Sequence, residues 1–251
     1  MFGWIVLFSI LGSIGAIVLA LNFINLGKKL QQSLVTYLVA YATGTLLAAA
    51  SLGMIPTALA SSKFDVQGVM TYFLGGIIFF FILEKLIIWR HCHNFECEVT
   101  RASTGPIILI GDAFHNFVDG IVIASAFLLN FTLGIMVGLS VIAHEVPQEI
   151  GDLAILIDKG YSKKKAFLYN SLSGSTTIPA AIIGYFILET LTVLIPYVLA
   201  ISAASFIYIA LSDLTPELHE KTEFKQISRQ VLLIFAGIFT MVLIFLMKGN
   251  M

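Results

Sequence analysis

The sequence predicts an all-α membrane protein that crosses the bilayer eight times. Three observations predict this class. The chain of 251 residues is 58% hydrophobic and only 12% charged, its mean hydropathy is +0.96, and its apolar residues form long runs separated by short polar segments. A soluble domain needs a charged surface that this composition does not supply. The runs predict helices because a lipid-exposed backbone must satisfy its own hydrogen bonds, and they lack the short alternation of barrel strands.

A helix needs about 20 mostly apolar residues to cross the hydrocarbon core. This length predicts one transmembrane domain over residues 1–251, with helices at 2–26, 33–60, 67–90, 104–130, 132–158, 164–189, 192–216 and 228–248. The first run is too long for a signal-peptide core and is followed by Lys28 and Lys29, so we expect a retained helix. A tight turn at 130–132 joins helices 4 and 5 and makes them neighbours.

Basic residues indicate the orientation of the helices. Lysine and arginine concentrate in the loops after helices 1, 3, 5 and 7, and such loops stay in the cytoplasm. We therefore expect both termini outside the cytoplasm, and the short loops favour a prokaryotic plasma membrane. The net charge of −1 offers no basic surface for nucleic acid. Two cysteines, Cys92 and Cys97, are too few for a disulfide framework.

Polar and ionisable side chains cluster in helices 4 and 5. Helix 4 carries Asp112, His115, Asn116 and Asp119, and helix 5 carries His144, Glu145, Gln148, Glu149 and Asp152. At 100° per residue, each set falls within an arc of about 100°, with Glu149 at the edge of its arc. The two polar faces can therefore meet. Ionisable groups at bilayer depth are costly, so they are functional candidates by default.

Imidazole, carboxylate and amide groups that converge inside a helix bundle form a metal site. The mixed donors suit Zn²⁺, Fe²⁺, Mn²⁺ or Co²⁺ better than Cu⁺. His115 and Asp119 can chelate one ion from one helix, and His144 and Gln148 repeat that spacing on the facing helix. The positions that follow His115 and His144, Asn116 and Glu145, can serve a second ion or line an exit route.

Other residues are weaker candidates for metal contact. Asp112 and Asp152 border the main candidates, to which Glu149 also belongs, and Met54 in helix 2 offers a soft sulfur, although a methionine in a membrane helix usually serves packing. The loop after helix 3 contains His91, Cys92, His93, Glu96, Cys97 and Glu98. Its spacing is not that of a closed structural zinc site. Transient capture of ions and a plain polar loop are therefore equal alternatives.

We interpret the buried metal site as that of a metal-ion carrier, and two further interpretations compete with this one. A polar network could serve only to hold the helices together, although two histidines and several carboxylates on facing helices fit that role poorly. An intramembrane zinc hydrolase is the other, because His144-Glu145 begins like the H-E-x-x-H motif. Gln148 stands where that motif needs its second histidine, so His115 and Asp119 would have to complete the site. A carrier needs no prosthetic group, since the metal ion is its bound substrate.

Three segments resemble the ZIP (Zrt/Irt-like protein) family of metal transporters. They read GDAFHNFVDG at 111–120, HEVPQEIGD at 144–152 and FIYIALSDLTPEL at 206–218. The likeness is greatest to the subfamily with H-N-F-x-D-G and H-E-x-P-H-E-x-G-D motifs. The resemblance implies eight helices in a 3+2+3 arrangement with inverted-repeat halves, a two-metal centre between helices 4 and 5, and transport of divalent ions into the cytoplasm. Metal ions and the lipid bilayer are the expected partners, and a homodimer is compatible with the family.

The resemblance also assigns roles to residues. It implies that His115, Asp119 and His144 bind the transported ion. Asn116 and Glu145 match positions tied to a neighbouring ion, with Asp119 bridging the two. Gln148 departs from the family, which has His or Glu there, and Thr177 stands where some bacterial members have a carboxylate. These two departures imply a weaker second ion site.

Overall fold

A computed structural model describes residues 1–23, 26, 28–61, 65–89, 104–219 and 224–247. Within these ranges the secondary structure is helical and contains no β-strand. Eight of the helices are long and apolar enough to cross a membrane. The predicted all-α class and the predicted number of helices are thereby confirmed. The loop candidates His91 and His93 lie outside the described residues.

The helices follow the predicted order. Helix 1 is Phe2–Phe23, helix 2 is 28–61, helix 3 is Val66–Trp89, helix 4 is Thr104–Leu129, helix 5 is Phe131–Asp158, helix 6 is Lys163–Thr190, helix 7 is 192–219 and helix 8 is Phe224–Met247. Helix 2 begins earlier than predicted, at Lys28 rather than at 33. Its first turns are polar, and a rule based on apolar length does not detect a helix that continues beyond the hydrocarbon core.

Helix 6 is interrupted, whereas the sequence predicts a continuous helix over 164–189. It consists of Lys163–Gly174 and Thr177–Thr190, with a turn at 175–176 between them. Pro179 explains the break, because its ring lacks an N–H donor and collides with the carbonyl four residues earlier in a regular helix. The Thr176 hydroxyl donates to the Ala113 carbonyl at 2.7 Å, which ties the break to helix 4.

Helices 2 and 7 contain matching wide turns. A π-helical segment occupies Ala49–Met54 in helix 2 and Ile209–Leu214 in helix 7. Each segment ends two residues before a proline, Pro56 or Pro216. A wide turn moves the carbonyl that the proline ring would otherwise strike, so both prolines fit without ending the helix. A third π-helical segment, Leu11–Gly15, lies in helix 1.

The packing of the helices follows the inverted repeat. Helix 8 packs on helix 2 and helix 3 on helix 7, while helix 1 packs on helix 5 and helix 6 on helix 4. If helices 1, 2 and 3 are exchanged with helices 6, 7 and 8, and helix 4 with helix 5, the pair 8–2 becomes the pair 3–7. In the same way, the pair 1–5 becomes the pair 6–4. Since helices 2 and 7 run in opposite directions through the predicted topology, the two halves are inverted relative to each other.

The helix 4–helix 5 hairpin is closed at its connected end. Asn130 caps helix 5, because its side-chain oxygen accepts from the backbone N–H groups of Thr132 and Leu133 at 2.9 and 3.2 Å. A Cβ at Gly134 would lie 2.3 Å from the Phe127 ring, so only glycine admits that ring. This half of the hairpin is apolar and at most 3% exposed at Val122, Ile123, Phe127, Leu133, Val137 and Val141. We call these six residues the outer plug.

Candidate metal centre

Helices 4 and 5 bring four of the predicted ligands together. One ligand atom from each of His115, Asp119, His144 and Glu145 lies within 4.8 Å of the other three. Asp119, His144 and Glu145 are fully buried, whereas the His115 side chain is 19% exposed. We call these four residues the main centre. His115 is thus the point at which the main centre meets solvent.

The ligand atoms of the main centre face one another. His144 Nε2 lies 3.1 Å from Asp119 Oδ2 and 3.7 Å from Glu145 Oε1. His115 Nε2 lies 3.5 Å from Glu145 Oε1 and 3.9 Å from Asp119 Oδ2. The two Nε2 atoms are 3.1 Å apart. Two imidazole nitrogens and two carboxylate oxygens therefore surround a common point.

The orientation of His144 is held by its other ring nitrogen. Nδ1 lies 2.8 Å from the Ser140 carbonyl oxygen, one turn earlier in helix 5. When Nδ1 donates its hydrogen to that carbonyl, Nε2 presents its lone pair to the main centre, which is how ligating histidines are commonly held. The Phe206 ring of helix 7 meets His144 edge-on at 5.8 Å and limits the rotation of the imidazole.

Apart from the two imidazoles, the carboxylates of the main centre have no potential hydrogen-bond donor beside them among the described residues. Both oxygens of Asp119 and both oxygens of Glu145 are buried without such a partner. Burying a carboxylate without compensation costs several kcal/mol, so it requires a cation or a proton. Imidazole and carboxylate are the donor types that divalent transition metals prefer, and the residues present therefore fit such an ion.

A second acidic group adjoins the main centre. Carboxylate oxygens of Asp112, Glu145 and Glu149 lie within 4.8 Å of one another, and all three side chains are at most 4% exposed. The Asn170 side-chain amide of helix 6 donates to Glu149 Oε2. The Gln148 amide donates to Asp112 Oδ1 at 3.3 Å. Gln148 thus lies beside this group, and its role as a metal ligand stays a prediction.

Asn116 is fully buried and held by hydrogen bonds to other residues. Its amide donates to Asp112 Oδ1 at 2.9 Å, and its oxygen accepts from the Thr177 hydroxyl at 2.7 Å. The Thr177 hydroxyl oxygen also lies 3.1 Å from the Gly174 carbonyl oxygen, at the break in helix 6. The break therefore places a helix 6 hydroxyl against the polar face of helix 4.

A cavity of about 410 Å³ leads to His115. Its lining includes Glu84, Ile155 and Leu214, which lie near the ends of helices 3, 5 and 7. Those ends precede loops in which lysine and arginine concentrate. The outer plug closes the opposite side of the main centre. The structure therefore exposes the centre to one side of the membrane.

The weaker candidates fall in different places. Asp152 is half-buried and lines the cavity together with Asp112. Met54 is fully buried within the main apolar core, which is the packing role expected of a membrane methionine. Sequence reasoning missed Asn170. The signal was present, since Asn170, Ser173 and Thr177 share one face of helix 6 at helical spacing.

Comparison with known proteins agrees with the motifs. The family described as ZIP Zinc transporter matches residues 90–245, which is more than half of the chain. The chain belongs to the ZIP zinc transporter family. Membership of a transporter family supports the carrier over the intramembrane hydrolase. Eight apolar helices and this membership together identify an integral membrane protein.

Several curated ZIP relatives are similar over part of their length. Zinc transporter zipt-7.2 of Caenorhabditis elegans is 39% identical over 145 residues, 56% of this chain and 31% of the relative. Zinc transporter foi of Drosophila melanogaster is 37% identical over 153 residues, 61% of this chain and 22% of the relative. Human zinc transporter ZIP10 is 30% identical over 152 residues, 54% of this chain and 18% of the relative. The chain thus spans less than a third of the length of these relatives.

Proposed function

We propose that the protein carries divalent transition-metal ions, Zn²⁺ foremost, into the cytoplasm through the main centre. One observation carries the proposal. Asp119 and Glu145 are fully buried carboxylates without donors, and they face two imidazole nitrogens where the cavity ends. This arrangement lowers the cost of removing a metal ion from water, because it replaces the hydration shell with charged and nitrogen ligands. The curated relatives are named zinc transporters, which supports zinc as the substrate.

The spacing of the ligand atoms supports Zn²⁺. Zinc binds imidazole nitrogen and carboxylate oxygen at about 2.0–2.2 Å in a tetrahedron, so its ligand atoms lie roughly 3.3–3.6 Å from one another. The separations between Nε2 and carboxylate atoms in the main centre run from 3.1 to 3.9 Å. Small side-chain movements would bring these four groups into coordination. Larger ions such as Cd²⁺ and Mn²⁺ would need a wider arrangement.

One-sided access supports the direction of transport. The cavity connects His115 to the side that carries the loops after helices 3, 5 and 7. The outer plug separates the main centre from the other side. A carrier must expose its site to each side in turn, and inverted repeats provide two related arrangements of the helices. Protons compete with metal for imidazole and carboxylate lone pairs, so release is favoured where the cavity admits water.

Uptake into liposomes tests the proposal. Purified protein is reconstituted with a trapped zinc indicator, and wild type is compared with His115→Ala and Asp119→Ala. Glu189→Gln is the matched control, because Glu189 is exposed and bonds only Tyr185 among the contacts described. We expect both centre variants to lose zinc uptake and the control to retain it. Fe²⁺, Mn²⁺ and Cd²⁺ as competitors rank the ions.

Folded wild-type protein that moves none of these metals, under a pH gradient of either sign, would overturn the proposal. Uptake that persists in both centre variants would instead remove the main centre from the pathway. Equal loss in Glu189→Gln would show a general defect rather than a lost ligand, and a second exposed control would then be needed to recover the comparison.

The topology and the source membrane are part of the proposal. We place both termini outside the cytoplasm, which the basic residues in the loops after helices 1, 3, 5 and 7 support. A protease added to sealed, right-side-out vesicles should remove a tag at either terminus and spare a tag in the loop after helix 5. The prokaryotic plasma membrane rests on the short loops alone, since the relatives named above come from eukaryotes. The homodimer stays a prediction.

A further inference from the structure

A pocket of about 400 Å³ lies between helices 2 and 8. None of its lining residues lines the cavity that leads to His115, so it is separate from the route to the main centre. Helix 8 contributes two polar residues and, one turn later, two leucines, while helix 2 contributes a tyrosine. The lining consists of Tyr37, Ser228, Arg229, Leu232 and Leu233. The pocket is therefore polar at one end and apolar at the other.

Arg229 is held at the polar end of this pocket. Its Nη1 group donates to the Tyr37 hydroxyl at 2.8 Å, although the side chain is otherwise exposed. The ion pairs among the described residues all belong to the main centre, so no described carboxylate neutralises Arg229. A guanidinium carries five N–H donors and binds phosphate oxygens in pairs. Arg229 thus offers the rest of its donors to an anion from a fixed position.

An apolar groove continues from this pocket along helix 8. The groove has a volume of about 480 Å³ and shares Leu232 with the pocket. From Leu232 to Val242 the helix rises about 15 Å, at about 1.5 Å per residue, which is one leaflet of a hydrocarbon core about 30 Å thick. The groove is lined only by Leu232, Phe235, Ala236, Ile238, Phe239 and Val242.

Helices 2 and 8 form a rigid frame for the pocket. A Cβ added at Gly44 would collide with the Ile234 carbonyl oxygen, and one at Gly237 would collide with the Tyr41 carbonyl oxygen. The two backbones are therefore in direct contact next to the pocket. The Tyr41 hydroxyl also donates to the Thr240 hydroxyl at 3.1 Å. A pocket on such a frame is formed before its ligand arrives, which lowers the cost of binding.

We propose that Arg229 and Tyr37 bind the phosphate of an anionic phospholipid, with an acyl chain in the groove along helix 8. A cation at one end and an apolar groove one leaflet long match the two ends of this ligand. A second copy of the chain fits less well. Two copies share one orientation in a membrane, so a two-fold contact through this face would place two Arg229 side chains at the same depth, where they repel each other.

The proposed topology places the pocket in the leaflet that suits this ligand. Helix 8 begins at Phe224, after a loop that we place in the cytoplasm, and Arg229 lies in the second turn. The cytoplasmic leaflet carries the anionic lipids and attracts basic residues near its surface. The binding of the lipid itself does not depend on the topology, on the main centre or on metal transport.

Native mass spectrometry of the purified chain in detergent tests the site. The fraction of protein that keeps one lipid is measured against the concentration of dioleoyl phosphatidylglycerol, and then against phosphatidylcholine with the same acyl chains. We expect wild type to bind the anionic lipid about tenfold more tightly, because hydrogen bonds between charged groups are strong. Arg229→Gln should lose this preference. Lys164→Gln is the matched control, because it removes the same charge from an exposed residue of helix 6, and it should keep the preference.

Four results would overturn the proposal. Equal affinity of wild type for the two lipids would remove the contact with the headgroup. Equal loss in Arg229→Gln and Lys164→Gln would leave only a general attraction between charges. Displacement of the lipid by an equal concentration of inorganic phosphate would make the ligand a free anion. A dimer that forms without added lipid and is lost in Arg229→Gln would make a second copy of the chain the occupant.

Tyr37→Phe keeps the test decisive where Arg229→Gln does not fold. The substitution retains the ring and removes only the hydroxyl that accepts from Arg229. The preference for the anionic lipid should fall about threefold, as expected for the loss of one hydrogen bond. A Tyr37→Phe variant with the full preference of wild type would show that the hydroxyl does not hold the guanidinium, and the proposed site would then be wrong.

Discussion

The π-helical segments of helices 2 and 7 have the same construction and opposite surroundings. In helix 2, Met54 is fully buried, and a Cβ at Gly53 would lie 3.0 Å from the Leu133 side chain in the outer plug. In helix 7, Ile209 and Asp213 line the open cavity. The repeated motif thus lies in tight packing on one side of the membrane and against water on the other. One-sided access is therefore set by what packs on each repeat, rather than by the repeat itself.

The two sides also differ in what holds them. The outer plug is stabilised by apolar burial, so substitutions there should cost stability without a direct effect on metal binding. The cavity side carries buried carboxylates that are poorly compensated in the metal-free protein, so replacing one of these carboxylates should weaken metal binding without a cost in stability. Four predictions test this contrast, from the largest expected effect to the smallest.

Phe127→Ala should destabilise the outer plug most. Phe127 is fully buried, and its ring packs 5.4 Å from Phe8 and 6.0 Å from Phe131. Removing a buried aromatic ring typically costs about 3–5 kcal/mol in the free energy of unfolding. Unfolding in mixed micelles of increasing SDS fraction measures the loss. Phe239→Ala is the control, because Phe239 is 61% exposed, and an equal loss there would show that burial does not matter.

Asp119→Asn should have opposite effects with and without metal. The amide replaces a buried carboxylate without donors, so metal-free protein should gain about 1–3 kcal/mol of stability. Zinc at 100 times its dissociation constant stabilises wild type by about 2.7 kcal/mol, and the variant should lose this gain. Unfolding measured with chelator gives the stability of the metal-free protein, and unfolding measured with zinc gives the stabilisation by the metal. Zinc that stabilises variant and wild type alike would remove Asp119 from the main centre.

Thr177→Val should loosen Asn116 with little change of shape. The substitution leaves the buried Asn116 oxygen without the donor seen at 2.7 Å, which costs about 1–2 kcal/mol. Because Asn116 also bonds Asp112, the stability of metal-free protein should fall. Thr177→Ser keeps the hydroxyl and should remain near wild type. A Val variant as stable as the Ser variant would show that the hydroxyl contributes nothing.

Asp65→Asn should have a small effect that depends on pH. Asp65 lies before helix 3, where the Tyr197 hydroxyl donates to it at 2.6 Å and the Gly68 N–H at 2.9 Å. These bonds, the hydroxyl first, lower the pKa of Asp65 below its ordinary 3.8. A lowered folded-state pKa means that the charged form stabilises the fold. This contribution is complete well above pH 3.8 and is lost as the pH falls through the lowered pKa.

The measurement for Asp65 is a comparison of unfolding midpoints. At pH 7 the variant should unfold slightly more easily than wild type. As the solution becomes more acidic than pH 3.8, the difference should shrink, because wild type then loses its charge as well. A difference that grows toward acid would reverse the assigned sign. Tyr197→Phe is the matched variant, since it removes only the hydroxyl donor and should reduce the same pH dependence.

Much of this arrangement could be predicted from the sequence. The number of helices follows from apolar length, and the proximity of Asp119 and His144 follows from helical spacing and the tight connection at Asn130. These features depend on residues close together in the chain. The helical period therefore carries the information needed to place the two polar faces opposite each other.

Other parts of the centre could not be predicted in this way. Pro179 signals a disturbed helix, but not that the turn before it brings Thr177 against Asn116. Asn170 and Glu149 meet only because helix 6 packs beside the hairpin, and the spacing of residues within one helix contains no information about such packing. The wide turns in helices 2 and 7 likewise shift the face of every later residue, which a single helical wheel does not follow.

Helices 3 and 8 expose most of their surface, because only 11% and 17% of an 18-residue apolar stretch in each is buried. Their apolar spans, Val66–Leu86 and Phe224–Leu246, contain 21 and 23 residues and are about 32–35 Å long at about 1.5 Å per residue. This length exceeds an average hydrocarbon core of about 30 Å only slightly, so a modest tilt accommodates it. The tilt of these two helices therefore depends on the thickness of the bilayer. Lipids with shorter acyl chains would increase this tilt. Because helix 3 packs on helix 7 and helix 8 on helix 2, the added tilt would also shift helices 2 and 7 relative to the helix 4–helix 5 hairpin.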